Sequence, residues 1–175
     1  MDKTPDNELL LAELDETLRQ KLELSGHCAQ ASFAALDEHF ALGGGAVVKA
    51  LTPIPGIALR GETCGALTGP LMALGLAFGR ERLDDHAGFR EALPPAREFC
   101  RRFEAEFGST RCDEILSSRL GRPFDLSRQA DFAAYQACGG LESCTAVIRA
   151  AARQAATIIL EQRPDTADPG VLLTA

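Results

Sequence analysis

Six cysteines punctuate this chain of 175 residues, and four of them share an address. Cys28, Cys64, Cys112 and Cys144 each stand within a turn of an expected helix start, in the strings Ser25-Gly26-His27-Cys28, Thr63-Cys64-Gly65, Ser109-Thr110-Arg111-Cys112 and Gly140-Leu141-Glu142-Ser143-Cys144. Ser, Thr and Gly are favoured N-cap residues. A helix start offers unpaired N–H groups and a positive dipole end, which stabilise a thiolate, so these thiol pKa values are expected to fall. Four such sites suit an anionic centre. Iron–sulfur clusters of the two-iron and four-iron kinds are commonly held by four cysteine thiolates, and backbone N–H groups near the sulfurs raise the reduction potential. The four cysteines lie 36, 48 and 32 positions apart. No compact ligand signature has those spacings, so the fold must bring distant sites together.

Other chemistries use the same residues. Cys28 with Cys64, or Cys112 with Cys144, could cycle between dithiol and disulfide, with His27 offering an imidazolium beside Cys28. No Cys-x-x-Cys supports that reading. Zinc would need His27, His39 or His86 to complete a cysteine set. In the plainest reading the cysteines only pack, as free Cys commonly does. Cys100, between Phe99 and Arg101, is expected to pack as a small hydrophobe. Cys138, beside Gly139-Gly140, is an extra ligand or resolving thiol if it reaches the site, and burial is expected for it. Gly43-Gly44-Gly45 lacks the Gly-Lys-Ser/Thr and the strand of a P-loop, and the pairs Asp37-Glu38 and Asp84-Asp85 are adjacent rather than facing. No nucleophile–base pair or other catalytic constellation is visible.

Composition narrows the class. A net charge of −7 disfavours nucleic acid and anionic membranes as partners. Arg101-Arg102, interleaved with Glu98, Glu104 and Glu106, reads as a solvated helix face. The acidic start MDKTPDNELLLAELDE lacks the features of a secretory signal, so a cytoplasmic protein is expected. In a reducing compartment six cysteines point away from a static disulfide framework. The uncharged stretch CGALTGPLMALGLAFG contains Pro70 and is shorter than the roughly 20 residues of a membrane span; a buried helical segment is expected.

The elements that must position these thiols are helices. Ala and Leu dominate, and no segment alternates polar and apolar residues with Val, Ile and Thr enrichment. The expected fold is all-α: a compact bundle of five or six helices with a Gly/Pro-rich loop, forming a single domain over residues 1–162 with a tail at 163–175. A first helix at about 6–24 carries Leu9, Leu10, Leu14, Leu18 and Leu22 as an apolar stripe and ends at Gly26. A second, at about 28–40, precedes the loop from Gly43 to Gly61. Gly61, Gly65 and Gly69 then recur every four residues, leaving a stripe where a helix or cofactor can approach. Pro70 allows either a kinked helix or a turn followed by a helix opening at Pro70. Further helices are expected at about 94–107, with Phe99, Phe103 and Phe107 on one face, and at 112–116, 129–138 and 144–162.

The strings GHCAQASFAAL, CGALTGPLMALGLAFG, FEAEFGSTRCDEIL and SCTAVIRAAARQAATIIL, in that order over roughly residues 20–160, resemble the C_GCAxxG_C_C family of redox-active proteins, named after its cysteine pattern. By that resemblance Cys28, Cys64, Cys112 and Cys144 are the family cysteines, and Gly65, Ala66 and Gly69 belong to its central motif at a cofactor site. The chain departs from the pattern at Thr63, where glycine is usual, and at Pro70, where a small residue is commoner. A similar domain occurs in the split-Soret type of cytochrome, beside haems. This chain has no Cys-x-x-Cys-His, so c-type haem attachment is not expected. The resemblance implies an all-α protein holding an iron–sulfur cluster through the four cysteines, in electron transfer or redox sensing, with an unidentified protein redox partner. It also implies a homodimer, for which the Leu-rich first helix offers an apolar face.

Overall fold

A computed structural model describes residues 4–162, and the expected tail at 163–175 lies outside the described residues. The fold is all-α, with nine right-handed helices among the described residues: α1 (Thr4–Ser25), α2 (Cys28–Phe40), α3 (Gly45–Ala50), α4 (Gly65–Phe78), α5 (His86–Glu91), α6 (Leu93–Phe107), α7 (Cys112–Leu120), α8 (Gln129–Ala137) and α9 (Gly140–Gln162). The count exceeds the five or six expected. Two of the extra helices, α3 and α5, have only six residues each and are too short to show a period in the sequence. No helix among the described residues is long and apolar enough to cross a membrane.

The longest helices build the core. α2, α4 and α9 pack on one another, with α1 against α2 and α9, and α6 against α4 and α9. Ala151, Ala152, Ala155 and Ala156 are fully buried along α9. Their small side chains let the helix approach its neighbours closely. Leu14 and Leu18 are buried on α1, as expected, but Leu9 is exposed and Leu11 takes a core position instead. Phe99 and Phe103 are wholly buried on α6, where the rings of Phe99, Phe103 and Phe107 meet edge to face in succession. Burying each ring contributes roughly 2–3 kcal/mol. Arg153 on α9 ties down α1 through Asp15 at 3.0 Å. On α6, Arg101 and Arg102 pair with Glu98, as a solvated face should.

Pro70 is accommodated inside α4, which runs unbroken from Gly65 to Phe78. At the sixth position of the helix its ring removes only the bond to the Ala66 carbonyl. The linker between α3 and α4 is less regular. Gly56, Ile57, Ala58 and Leu59 have φ of 54°, 48°, 59° and 62°, one turn of left-handed helix. For non-glycine residues that conformation costs roughly 1–2 kcal/mol each. α7 contributes Ile115 to the main core, while its Leu116 joins Phe124 and Tyr135 in a smaller apolar cluster.

Candidate thiol centre

Three of the four expected helix-start positions are present: Cys28 opens α2, Cys64 is the N-cap of α4 and Cys112 opens α7, whereas α9 begins at Gly140 rather than at Cys144, which is its fifth residue. The capping residues differ from expectation. His27 caps α2, its Nδ1 accepting from the Gln30 N–H, while Arg111 stands at the start of α7 without a side-chain cap. Ser25 and Ser109 act one step earlier, their hydroxyls accepting from the N–H groups of His27 and Arg111 to close tight turns.

A short backbone pairing sets Cys64 beside Cys112. Thr63 and Arg111 form an antiparallel bridge. The Cys64 N–H donates to the Thr110 carbonyl at 2.9 Å, and the Cys112 N–H donates to the Glu62 carbonyl at 2.6 Å. Two helix starts separated by 48 positions in the chain are thereby held side by side. Cys28 arrives through the crossing of α2 and α4, where a Cβ at Gly65 would overlap its Sγ and a Cβ at Gly69 would overlap Ser32 Oγ and the Ala29 carbonyl. Gly65 and Gly69 thus make room for α2, while Ala66 faces the cavity.

Cys28, Cys64, Cys112 and Cys144 all line one cavity of about 650 Å3. Pro53, Pro55, Ala58 and Leu59 of the left-handed turn and its approach form one part of the wall; Phe124, Phe132 and Tyr135 form another. The lining is apolar apart from a few groups, among them Thr52, Asp113 and the His27 ring. None of the six cysteines is in a disulfide. Among the described residues no three His, Cys, Asp or Glu side chains come close enough to share a single metal ion.

The electrostatics correct the expectation that all four thiols are acidified. Burial pushes the Cys28 thiol up to about 12, reinforced by the neighbouring Cys64 and Cys144, although the Ala29 N–H opposes the shift. Burial also raises Cys144, against the nearby Tyr135 hydroxyl and Arg119 charge. The interaction between the adjacent Cys64 and Cys112 thiols raises Cys112 and lowers Cys64; the N–H groups of Ala66 and Leu67 further favour the Cys64 thiolate. Desolvation therefore outweighs the helix start at Cys28 and Cys144, while the interaction between Cys64 and Cys112 moves the two in opposite directions.

The remaining candidates fall elsewhere. His27 lines the cavity with both ring nitrogens engaged: Nδ1 accepts from Gln30, so Nε2 carries the proton and donates to the Thr52 carbonyl at 3.1 Å. It is a neutral cap, not a cation beside Cys28. His39 bonds Thr17 on α1 and His86 opens α5; neither lines the cavity. Cys100 is half-buried against the core, as expected. Cys138 is exposed, contrary to expectation, with its S–H donating to the Tyr135 carbonyl at 3.3 Å. The aromatic and proline walls carried no motif in the sequence.

A helical fold with four unbonded thiols on one apolar cavity defines a cysteine-centred all-α protein. Over residues 26–158 the chain matches the family described as "Putative redox-active protein (C_GCAxxG_C_C)", and it belongs to that family. No curated protein and no solved structure matches it.

Proposed function

We propose that this redox-active protein holds an iron–sulfur cluster through Cys28, Cys64, Cys112 and Cys144, and serves in electron transfer or redox sensing. The observation that carries the reading is the meeting, on one cavity, of four thiols drawn from four helices. The donor set fits the group. Four thiols face a shared volume rather than a point, and a cluster fills such a volume with its own iron and sulfide, which a single ion does not. Thiols whose pKa is raised by burial lose their protons to solvent readily only when a metal takes the proton's place, which suits ligands more than free nucleophiles.

When bound, such a cluster takes up and releases one electron at a time. The chain's own residues supply the surroundings. Ala66 and Leu67 direct N–H groups at the Cys64 sulfur and Ala29 does so at Cys28, which favours the added negative charge. Pro53, Pro55, Phe124 and Phe132 give the cavity beside the thiols an apolar wall. A redox partner protein, a cytoplasmic setting and a homodimer belong to the same reading. Exposed Leu9 and Leu24 on α1 support the dimer; a monomer at every concentration in light scattering would remove that part.

The contact between Cys64 and Cys112 supports a second reading, thiol–disulfide exchange. The Cys64 thiolate would attack a substrate disulfide and release one substrate thiol. Cys112 would then displace the other, leaving a Cys64–Cys112 disulfide and a fully reduced substrate.

Anaerobic purification with an absorption spectrum and iron, sulfide and zinc analysis tests both. The expected result is broad visible absorption with stoichiometric iron and sulfide, lost when any one of Cys28, Cys64, Cys112 or Cys144 is replaced by Ser and kept in Cys100→Ser. A colourless protein that cannot be loaded with iron and sulfide would sink the cluster, and a reversible Cys64–Cys112 disulfide in that sample would establish the exchange reading.

A further inference from the structure

Tyr135 is the only tyrosine of a chain that has no tryptophan, and it is 4% exposed. Burying a phenol in an apolar cluster leaves its hydroxyl needing a partner. The ring lies between Phe124, edge-on with centroids 6.0 Å apart, and Phe132, stacked at 6.0 Å. The Arg122 guanidinium lies over the Phe124 ring, 3.9 Å from its centroid. Gly140, the first residue of α9, completes the seat: a Cβ there would overlap two carbons of the Tyr135 ring. One turn further along α9 stands Cys144, which packs against the same cluster and lines the same cavity as Tyr135.

We propose that Tyr135 is a positioning residue of the thiol centre, its hydroxyl fixing the Cys144 sulfur from the aromatic wall of the cavity. The inference rests on the cluster reading for its redox consequence and on packing alone for the contact. Cys144 sits deeper in its helix than the other three cysteines, a full turn beyond the first N–H groups of α9. A side-chain donor takes the part that backbone N–H groups play at Cys28 and Cys64. A donor to a cluster thiolate favours the reduced, more negative state.

Tyr135→Phe removes the hydroxyl and keeps the ring. Wild-type and variant proteins, purified anaerobically, are analysed for iron and sulfide and titrated for reduction potential. Equal iron and sulfide are expected, with an oxidised-to-reduced ratio at fixed solution potential about fivefold higher in the variant, the worth of one net hydrogen bond. An unchanged ratio overturns the proposal. Wild-type protein that takes up no iron or sulfide sinks the cluster reading instead, and the contact is then read in the reduced, metal-free protein. There the tyrosine absorption band and the tyrosine fluorescence report Tyr135 alone, since the chain has one tyrosine and no tryptophan. Cys144→Ala is expected to shift both and Cys100→Ala neither; identical spectra in the two variants overturn the contact.

Discussion

A thiol at a helix start feels two opposed influences, the N–H groups that favour its anion and the burial that forbids it. At Cys28 burial wins, moving the pKa from 9.0 to about 12. A folded-state value above the unfolded one means that the folded chain keeps a proton the unfolded chain gives up. Stability is then fully present below about pH 9 and is lost as pH rises towards about 12. Cys112 and Cys144 act in the same direction, and Cys64 opposes them. The denaturant midpoint of the reduced, metal-free protein is therefore expected to fall across that window, and Cys28→Ala to flatten part of the fall. A midpoint that climbs there would show that the helix starts dominate after all. At this scale the sequence revealed the addresses of the thiols and misjudged their acidity. Helix starts are legible in local strings such as Ser109-Thr110-Arg111-Cys112, whereas desolvation depends on what the rest of the chain places over each sulfur.

Between elements, the crossing of α2 and α4 is the joint on which the centre depends. Gly65 and Gly69, one turn apart on α4, both face α2 and yet do different work. Ala at Gly65 would displace Cys28 Sγ, while Ala at Gly69 would press on Ser32 Oγ and the Ala29 backbone. Each substitution is expected to cost about 1–3 kcal/mol in urea denaturation. Gly65→Ala should also abolish iron and sulfide uptake, and Gly69→Ala should retain it. Equal retention in both would separate Gly65 from the centre. The four-residue glycine spacing was visible in the sequence as a stripe for close approach, but whether a helix or a cofactor used it was not. The pairing of Thr63 with Arg111 left no trace in the sequence, since a single bridge has no period.

Across the whole molecule, the main core of α1, α2, α4, α6 and α9, with Ile115 of α7, is distinct from the small cluster of Leu116, Phe124 and Tyr135 that lines the cavity, and the two meet at Cys112 and Cys144. Ligands on α2, α4, α7 and α9 would tie the two together, and binding adds to stability whatever it contributes in the folded state alone. Removing iron and sulfide is expected to leave most of the helical circular dichroism intact. Amide exchange should accelerate selectively across α7 and α8. Global unfolding on removal, or uniform exchange, would contradict this division.

The sequence by itself determined that the chain is helical, where most of the long helices run, and that Cys28, Cys64 and Cys112 stand at helix starts. Those properties are local: side-chain periodicity, capping and glycine placement act over a few residues. Only the tertiary structure decided that the four thiols share one cavity, that the starts at Cys64 and Cys112 lie side by side, that His27, which caps α2, also meets the Thr52 carbonyl and that Tyr135 and Cys144 pack in one cluster. Each of these needs separate segments to be packed against one another, and that packing is fixed by the shape of the buried core rather than by any local string.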